Sequence, residues 1–316
     1  MLIDETELTQ EEGALTPAAL RESREVRESV IAKYGFIPSS ILHHKRSDKP
    51  IDLSKIEDGR SYTGQERYHI ETNTENEVLR ELSIYKRRGS GARFGALSSI
   101  SQNVGRCLID IYCPKDGTVY SPFCGHGGDL CMTFYSDRHF IGVDVAEKFI
   151  EQNKRIADML VTERNYGLLP GAKDIRLYCG SSASVPAIPD GSADFTITSP
   201  PYWCLEDYGP EAEQLGKALT YEQFLENLYP CVTENYRILK PGAFCSWFVN
   251  DFRLGGKFYP YHIDVFALFI KAGFIPFNIY IVDLGASFLE AFVQKTLQTK
   301  IFPKRHEYCL LFTKEK

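Results

Sequence analysis

Thr118-Val119-Tyr120-Ser121-Pro122-Phe123-Cys124-Gly125-His126-Gly127-Gly128 reads as a strand that runs through a glycine loop into a helix. The strand spans Thr118 to Phe123, and the helix runs from Asp129 to Tyr135. Glycines at 125, 127 and 128 let the backbone approach a ligand closely and deliver it to a helix N-terminus. A tight strand-to-helix turn accounts for the loop equally well when it is taken alone. About 20 residues further on, the strand His139–Val143 ends at Asp144. An acid there can accept hydrogen bonds from both hydroxyls of a nucleoside ribose. It can also cap the helix that begins near Ala146.

Working outward, the same alternation continues. Leu97, Ile100, Val104, Leu108 and Ile111 lie at helical spacing before the loop. After it come a helix over 146–160, strands at Ile175–Cys179 and Ala193–Thr198, and a helix from Tyr221 to Leu239 stopped by Pro241-Gly242. Ala243–Val249 is a strand, Tyr261–Ala272 a helix, and Ile275–Val282 and Glu307–Phe312 close the pattern as strands. Strands alternating with helices imply an α/β domain whose mostly parallel sheet has helices on both faces. Phe123, Asp144, Ser181 and Ser199 fall at or just past strand ends, so they can converge on one crevice.

Composition sets outer bounds. The chain has 316 residues, 43% hydrophobic and 25% charged, as in an ordinary soluble protein. No apolar run reaches the roughly 18 residues of a membrane span. Met1-Leu2-Ile3-Asp4-Glu5 lacks the regions of a signal peptide, so a cytoplasmic location is expected. Nine scattered cysteines contain no C-x-x-C pair and read as reduced thiols; no metal is expected. Residues 1–29 carry eight acids against three arginines, −5 of the net −6, which leaves about −1 for the rest. Residues 1–60 are accordingly read as an acidic extension and 61–316 as the main domain. Basic groups stand at His44-Lys45-Arg46, at Lys86-Arg87-Arg88 with Arg93, and from Lys300 to Arg305. Each is a solvated face or part of a phosphate-binding track.

The chemistry-bearing stretch is Thr198-Ser199-Pro200-Pro201-Tyr202-Trp203. Two successive prolines, with no N–H and a fixed φ, leave rigid carbonyls free to accept hydrogen bonds. An exocyclic base amine is a poor nucleophile because its lone pair is delocalised into the ring. The Ser199 hydroxyl and the Pro200 carbonyl can accept its two hydrogens and favour a more tetrahedral nitrogen. In-line placement of a methyl donor then supplies most of the catalysis. Tyr202 can stack on a base that has left its duplex. The plain alternative is a proline-rich turn after a strand.

These segments resemble the amino-group DNA methyltransferases, the N4-cytosine/N6-adenine class. The matching pieces are Val119–Gly128, Phe140–Asp144 and Thr198–Trp203. Ile238–Ala243, Val249–Tyr259 and Lys304–Thr313 are similar to methylases of phages and prophages. The resemblance implies a Rossmann-like class I methyltransferase fold with a seven-stranded sheet, S-adenosylmethionine as cofactor, and a flipped DNA base as substrate. It implies that Phe94, Ser121, Phe123, Gly125, Gly127, Asp144 and Ser181 bind the cofactor, and that Ser199, Pro200, Pro201 and Tyr202 hold the base. Ser199 in the first catalytic position leans toward cytosine N4, with adenine N6 the near alternative, in a restriction-modification or phage setting. Where the family has acids, this chain has Ser121 and Ser181, and His126 replaces a small residue. These departures leave open a weak or inactive module that binds DNA or a partner, unless Asp129 substitutes for a lost acid.

Overall fold

Val119 and Phe195 sit side by side on neighbouring strands, both fully buried against Val104 and Leu108 of a covering helix. Tyr120, one residue along, is buried on the opposite face with Phe224, Leu228, Val265 and Phe269. Successive side chains point to opposite faces of a strand. A strand apolar at every position therefore demands a helical layer on each side.

The computed structural model describes residues 100–163, 173–206, 208–284, 293–302 and 304–316, with short pieces at 26, 28–33 and 39–43. Phe94, the basic group at 86–93 and most of the acidic extension lie outside the described residues. In chain order the elements are β1 (Ile41–His43), α1 (Gln102–Tyr112), β2 (Thr118–Ser121), α2 (Gly128–Tyr135), β3 (His139–Asp144) and α3 (Glu147–Glu163). They continue with β4 (Ile175–Cys179), β5 (Ala193–Thr198), α4 (Tyr221–Ile238), β6 (Leu239–Val249), β7 (Phe252–Leu254) and β8 (Lys257–Tyr259). The last are α5 (Tyr261–Lys271), β9 (Ile275–Asp283), α6 (Val293–Thr299) and β10 (His306–Thr313).

The main sheet has the order β1-β9-β10-β6-β5-β2-β3-β4. Strands β2 to β6 run parallel, and β10 is inserted antiparallel between β6 and β9. Seven of these strands are the ones expected from the sequence, and their order is the one expected of the Rossmann-like class I fold that the resemblance implies. The eighth, β1, pairs parallel with β9 through Ile41–Ile281 and Leu42–Val282. It comes from the stretch read as an extension.

The chain steps outward from β2 through β3 to β4, then returns to place β5 on the other side of β2. That reversal opens a crevice at the carboxyl edge between β2 and β5, the usual ligand position in such sheets. Two local expectations change. Helix α4 ends at Ile238, and Pro241-Gly242 lies inside β6, where the register with β5 shifts. No strand was expected over residues 252–260, where β7 and β8 form an antiparallel hairpin about Gly255-Gly256. Both glycines have positive φ, 58° and 81°, as a type I′ hairpin turn requires.

Candidate active site

The glycine loop leaves the end of β2 and is held from three sides. Gly125 and Gly127 adopt φ of 45° and 86°, a region that favours glycine. A Cβ on Gly127 would lie 2.7 Å from Ile156 Cδ1, so the loop packs directly on α3. Asn153 of that helix donates its amide to the Gly125 carbonyl at 2.7 Å, and Gln152 donates to the His126 carbonyl at 3.2 Å. His126, larger than the residue it replaces, packs edge-on against Phe149 and pairs with Gln152. Among the described residues, a Cβ at Gly125 would meet nothing closer than 4.0 Å.

Asp144 ends β3 beneath the loop. One carboxylate oxygen accepts the Gly125 N–H and the other the Ala146 N–H, both at 2.9 Å. Burial pushes its carboxyl up to about 6, and these two backbone bonds oppose the rise. The local tie to the following helix, one of the two readings of this residue, is thus formed in the structure. Each oxygen keeps a further lone pair for a ribose hydroxyl.

Ser121 is fully buried, and its hydroxyl donates to Asp129 Oδ2 at 2.7 Å. Asp129, in the first turn of α2 and only 8% exposed, brings a carboxylate to the strand end that lacks one. An acid at a helix N-terminus is favoured by the helix dipole. Beyond β4, Ser181 accepts the Ala183 N–H at 3.3 Å. The Ser182 hydroxyl donates to the Pro122 carbonyl, which stitches this turn to the glycine loop. Phe123 meets Trp247 edge-on at 5.7 Å.

Ser199 follows β5 directly and is half-buried. Its hydroxyl donates to the Phe248 carbonyl at 3.1 Å, an arrangement that fixes the oxygen and leaves it able to accept. Pro201 presents its carbonyl to the Tyr261 hydroxyl at 3.0 Å. Tyr202 is 1% exposed, packed edge-to-face on Tyr261, with its hydroxyl 3.4 Å from Glu307 Oε1. The ring offers no free face to a base in this conformation, so stacking there would need it to move. Trp203 adopts φ 41°, unusual for a bulky residue, and is anchored by its indole N–H on the Ala218 carbonyl at 2.9 Å.

Sequence reasoning missed two features here. Glu307 is a buried carboxyl whose desolvation raises it to about 8. Its signal was an acid at the start of the apolar run Glu307–Phe312. Asp251 holds both His262 and Lys304 Nζ, the latter at 3.1 Å. The His262 ring stacks on Tyr308 at 3.9 Å. Lys304, part of the basic group read as a solvated face or a phosphate-binding track, is ion-paired with Asp251.

The catalytic and glycine-loop segments meet. Thr198 Oγ1 lies 3.5 Å from both Ser121 Oγ and the Phe123 carbonyl. Thr198 thus ties the turn that carries Ser199 and Pro200 to the end of β2, and Asp144 ties β3 to the same glycine loop. Among the described residues, no cluster of His, Cys, Asp and Glu could hold a metal ion, and all nine cysteines are free. No helix among the described residues is long and apolar enough to cross a membrane.

Residues 193–316 match the profile of the family described as DNA methylase. Among curated proteins, the chain is 35% identical over 91 residues to type II methyltransferase M.SfiI of Streptomyces fimbriatus, covering 27% of this chain and 21% of the relative. It is 48% identical over 52 residues to type II methyltransferase M.XycI of Xanthomonas campestris pv. cyanopsidis, covering 16% of this chain and 17% of the relative. The chain thus spans about a fifth of the length of these relatives. A solved S-adenosylmethionine-dependent methyltransferase from Methanosarcina mazei superposes with a TM-score of 0.43 at 14% identity, covering 66% of this chain and 97% of that one. The resemblance to DNA methyltransferases is borne out over residues 193–316, which include the Ser199–Trp203 turn.

Proposed function

We propose that this chain transfers a methyl group from S-adenosylmethionine to an exocyclic amine of DNA, at N4 of a cytosine drawn out of the duplex. The observation that carries this is the contact of Thr198 with Ser121 and Phe123, which joins the amine-holding turn to the glycine loop.

The residues fit the cofactor. An adenosyl ribose needs an acceptor at the end of β3, and Asp144 stands there. A methionine ammonium needs a carboxylate near the end of β2, and Asp129 supplies one through its contact with Ser121. Among the described residues, nothing near Gly125 stands in the way of close backbone approach. When bound, the cofactor supplies an electrophilic methyl group on a sulfonium.

The chain's own work is to hold the amine. The Ser199 oxygen, fixed by its bond to Phe248, accepts one amine hydrogen, and the Pro200 carbonyl accepts the other. Drawing on both hydrogens localises the nitrogen lone pair and offsets the positive charge that grows as the amine attacks. Pro201 and Tyr202 set the turn, held from behind by Tyr261 and Glu307. If the ring of Tyr202 swings out, it also supplies a stacking face for the extruded base. An uncharged hydroxyl at 199 favours cytosine, and adenine N6 is the competing outcome. Asp129 weighs against an inactive binding module, since the site keeps a carboxylate despite Ser121.

Replacing Ser199 by Ala removes one of two acceptors while leaving the glycine loop untouched. Methylation of DNA should fall by about 100- to 1000-fold. Affinity for S-adenosylmethionine, measured by calorimetry, should stay unchanged. Full activity in Ser199→Ala would overturn the role given to this residue.

A further inference from the structure

The β7–β8 hairpin emerges two residues after β6, on the same edge of the sheet as Ser199. Its two faces differ. Phe252 and Tyr259 pair across it and stack at 5.0 Å, and Tyr259 packs on Tyr221 at 4.8 Å and on Trp203 at 5.6 Å. Trp203 directly follows Tyr202, so the inner face is rooted on the turn that holds the base. The outer face carries the Arg253–Phe258 pair, with the guanidinium 4.9 Å from the ring centroid. Phe258 is 45% exposed. Lys257 stands next to the tip with its ammonium 4.8 Å from the Tyr259 ring centroid. At the tip, a Cβ on Gly255 or Gly256 would touch nothing within 4 Å among the described residues.

The charges on this hairpin are unspent. Lys304 and Arg305, the nearby basic residues read from the sequence, are bound to Asp251 and Asp283. Arg237, Lys240 and Arg138 are likewise paired with Asp190, Asp194 and Asp110. Arg253 and Lys257 meet only aromatic rings among the described residues. An exposed ring beneath an arginine, a second cation and a slim glycine tip together offer what nucleic acid takes. Phosphates accept the cations, and an unstacked base finds a π-face.

Resting on the methyltransferase reading, we propose that the β7–β8 hairpin grips DNA beside the target base. Arg253 and Lys257 take backbone phosphates, and Phe258 stacks on a base left without its neighbour. The root on Trp203 then ties this grip to the geometry of the catalytic turn.

Binding of the full chain to a labelled mixed-sequence DNA duplex, followed by fluorescence anisotropy across a salt series, tests this. The double variant Arg253→Gln/Lys257→Gln should bind more weakly. Its slope of log K against log salt should be shallower by about 1.8, roughly 0.9 for each lost phosphate contact. Phe258→Ala should leave the duplex salt slope unchanged and weaken binding to a single-stranded oligonucleotide about tenfold. All variants should hold S-adenosylmethionine as the parent does, which also reports an intact fold. A parent that binds duplex while the double variant keeps its slope overturns the hairpin's role alone. A parent that holds the cofactor but binds no DNA overturns the DNA reading and this proposal together.

Discussion

At Ser121, strand β2 ends on a hydroxyl where the resemblance leads one to expect a carboxylate. The structure answers with Asp129, eight residues later, whose Oδ2 lies 2.7 Å from that hydroxyl. Asp129 thus brings a carboxylate to the strand end from the first turn of the following helix. A hydrogen bond to a charged group contributes about 1.5–3 kcal/mol. Asp129→Asn should therefore weaken S-adenosylmethionine binding by roughly ten- to a hundredfold in calorimetry. The swap Ser121→Asp with Asp129→Ser should restore most of it. Unchanged affinity in Asp129→Asn would show that this carboxylate only braces the loop. Asp144 was legible as a ligand or a cap. The bond to Ala146 is that cap, whereas the bond to Gly125 could not be read from sequence, because this partner is fixed only once the loop has folded back onto β3.

Among the elements, β10 carries the clearest pH-sensitive group. Glu307 is buried against Tyr202, and desolvation lifts it to about 8, above its ordinary 4.5. A carboxyl raised in the folded state contributes fully below about pH 4.5, and that contribution is lost as pH rises through about 8. Between pH 7 and 9 the loss amounts to roughly 1 kcal/mol, or about 1.5 °C in Tm for a chain of this length. Glu307→Gln should remove that decline in a thermal melt; a parallel decline in the variant would place the titrating group elsewhere. The long strands β2 to β6, β9 and β10 were legible because each is a run of apolar residues bounded by turns. Strand β1 has three residues and gains its identity only by pairing with β9, so nothing local announces it. The β7–β8 hairpin escaped for a similar reason: two three-residue strands are too short for an alternation to show. Tyr202 shows the limit for the site, since its type suggested stacking, whereas packing by Tyr261 and Glu307 buries the ring.

At the scale of the whole molecule, the order of strands does what no single motif can. Placing β5 beside β2 brings two sequence-distant turns, 121–128 and 199–203, to one edge of the sheet. The charge is unevenly spread along the chain: −5 of the net −6 lies in residues 1–29, and Arg253 and Lys257 stand over aromatic rings of the β7–β8 hairpin. DNA incubated with the protein and S-adenosylmethionine, digested to nucleosides and analysed by mass spectrometry, tests the proposed reaction most directly. N4-methylcytosine should appear with the parent chain and all but vanish with Ser199→Ala. Unmodified DNA from a parent chain that holds the cofactor would contradict methyl transfer to DNA, and N6-methyladenine in its place would contradict the cytosine assignment.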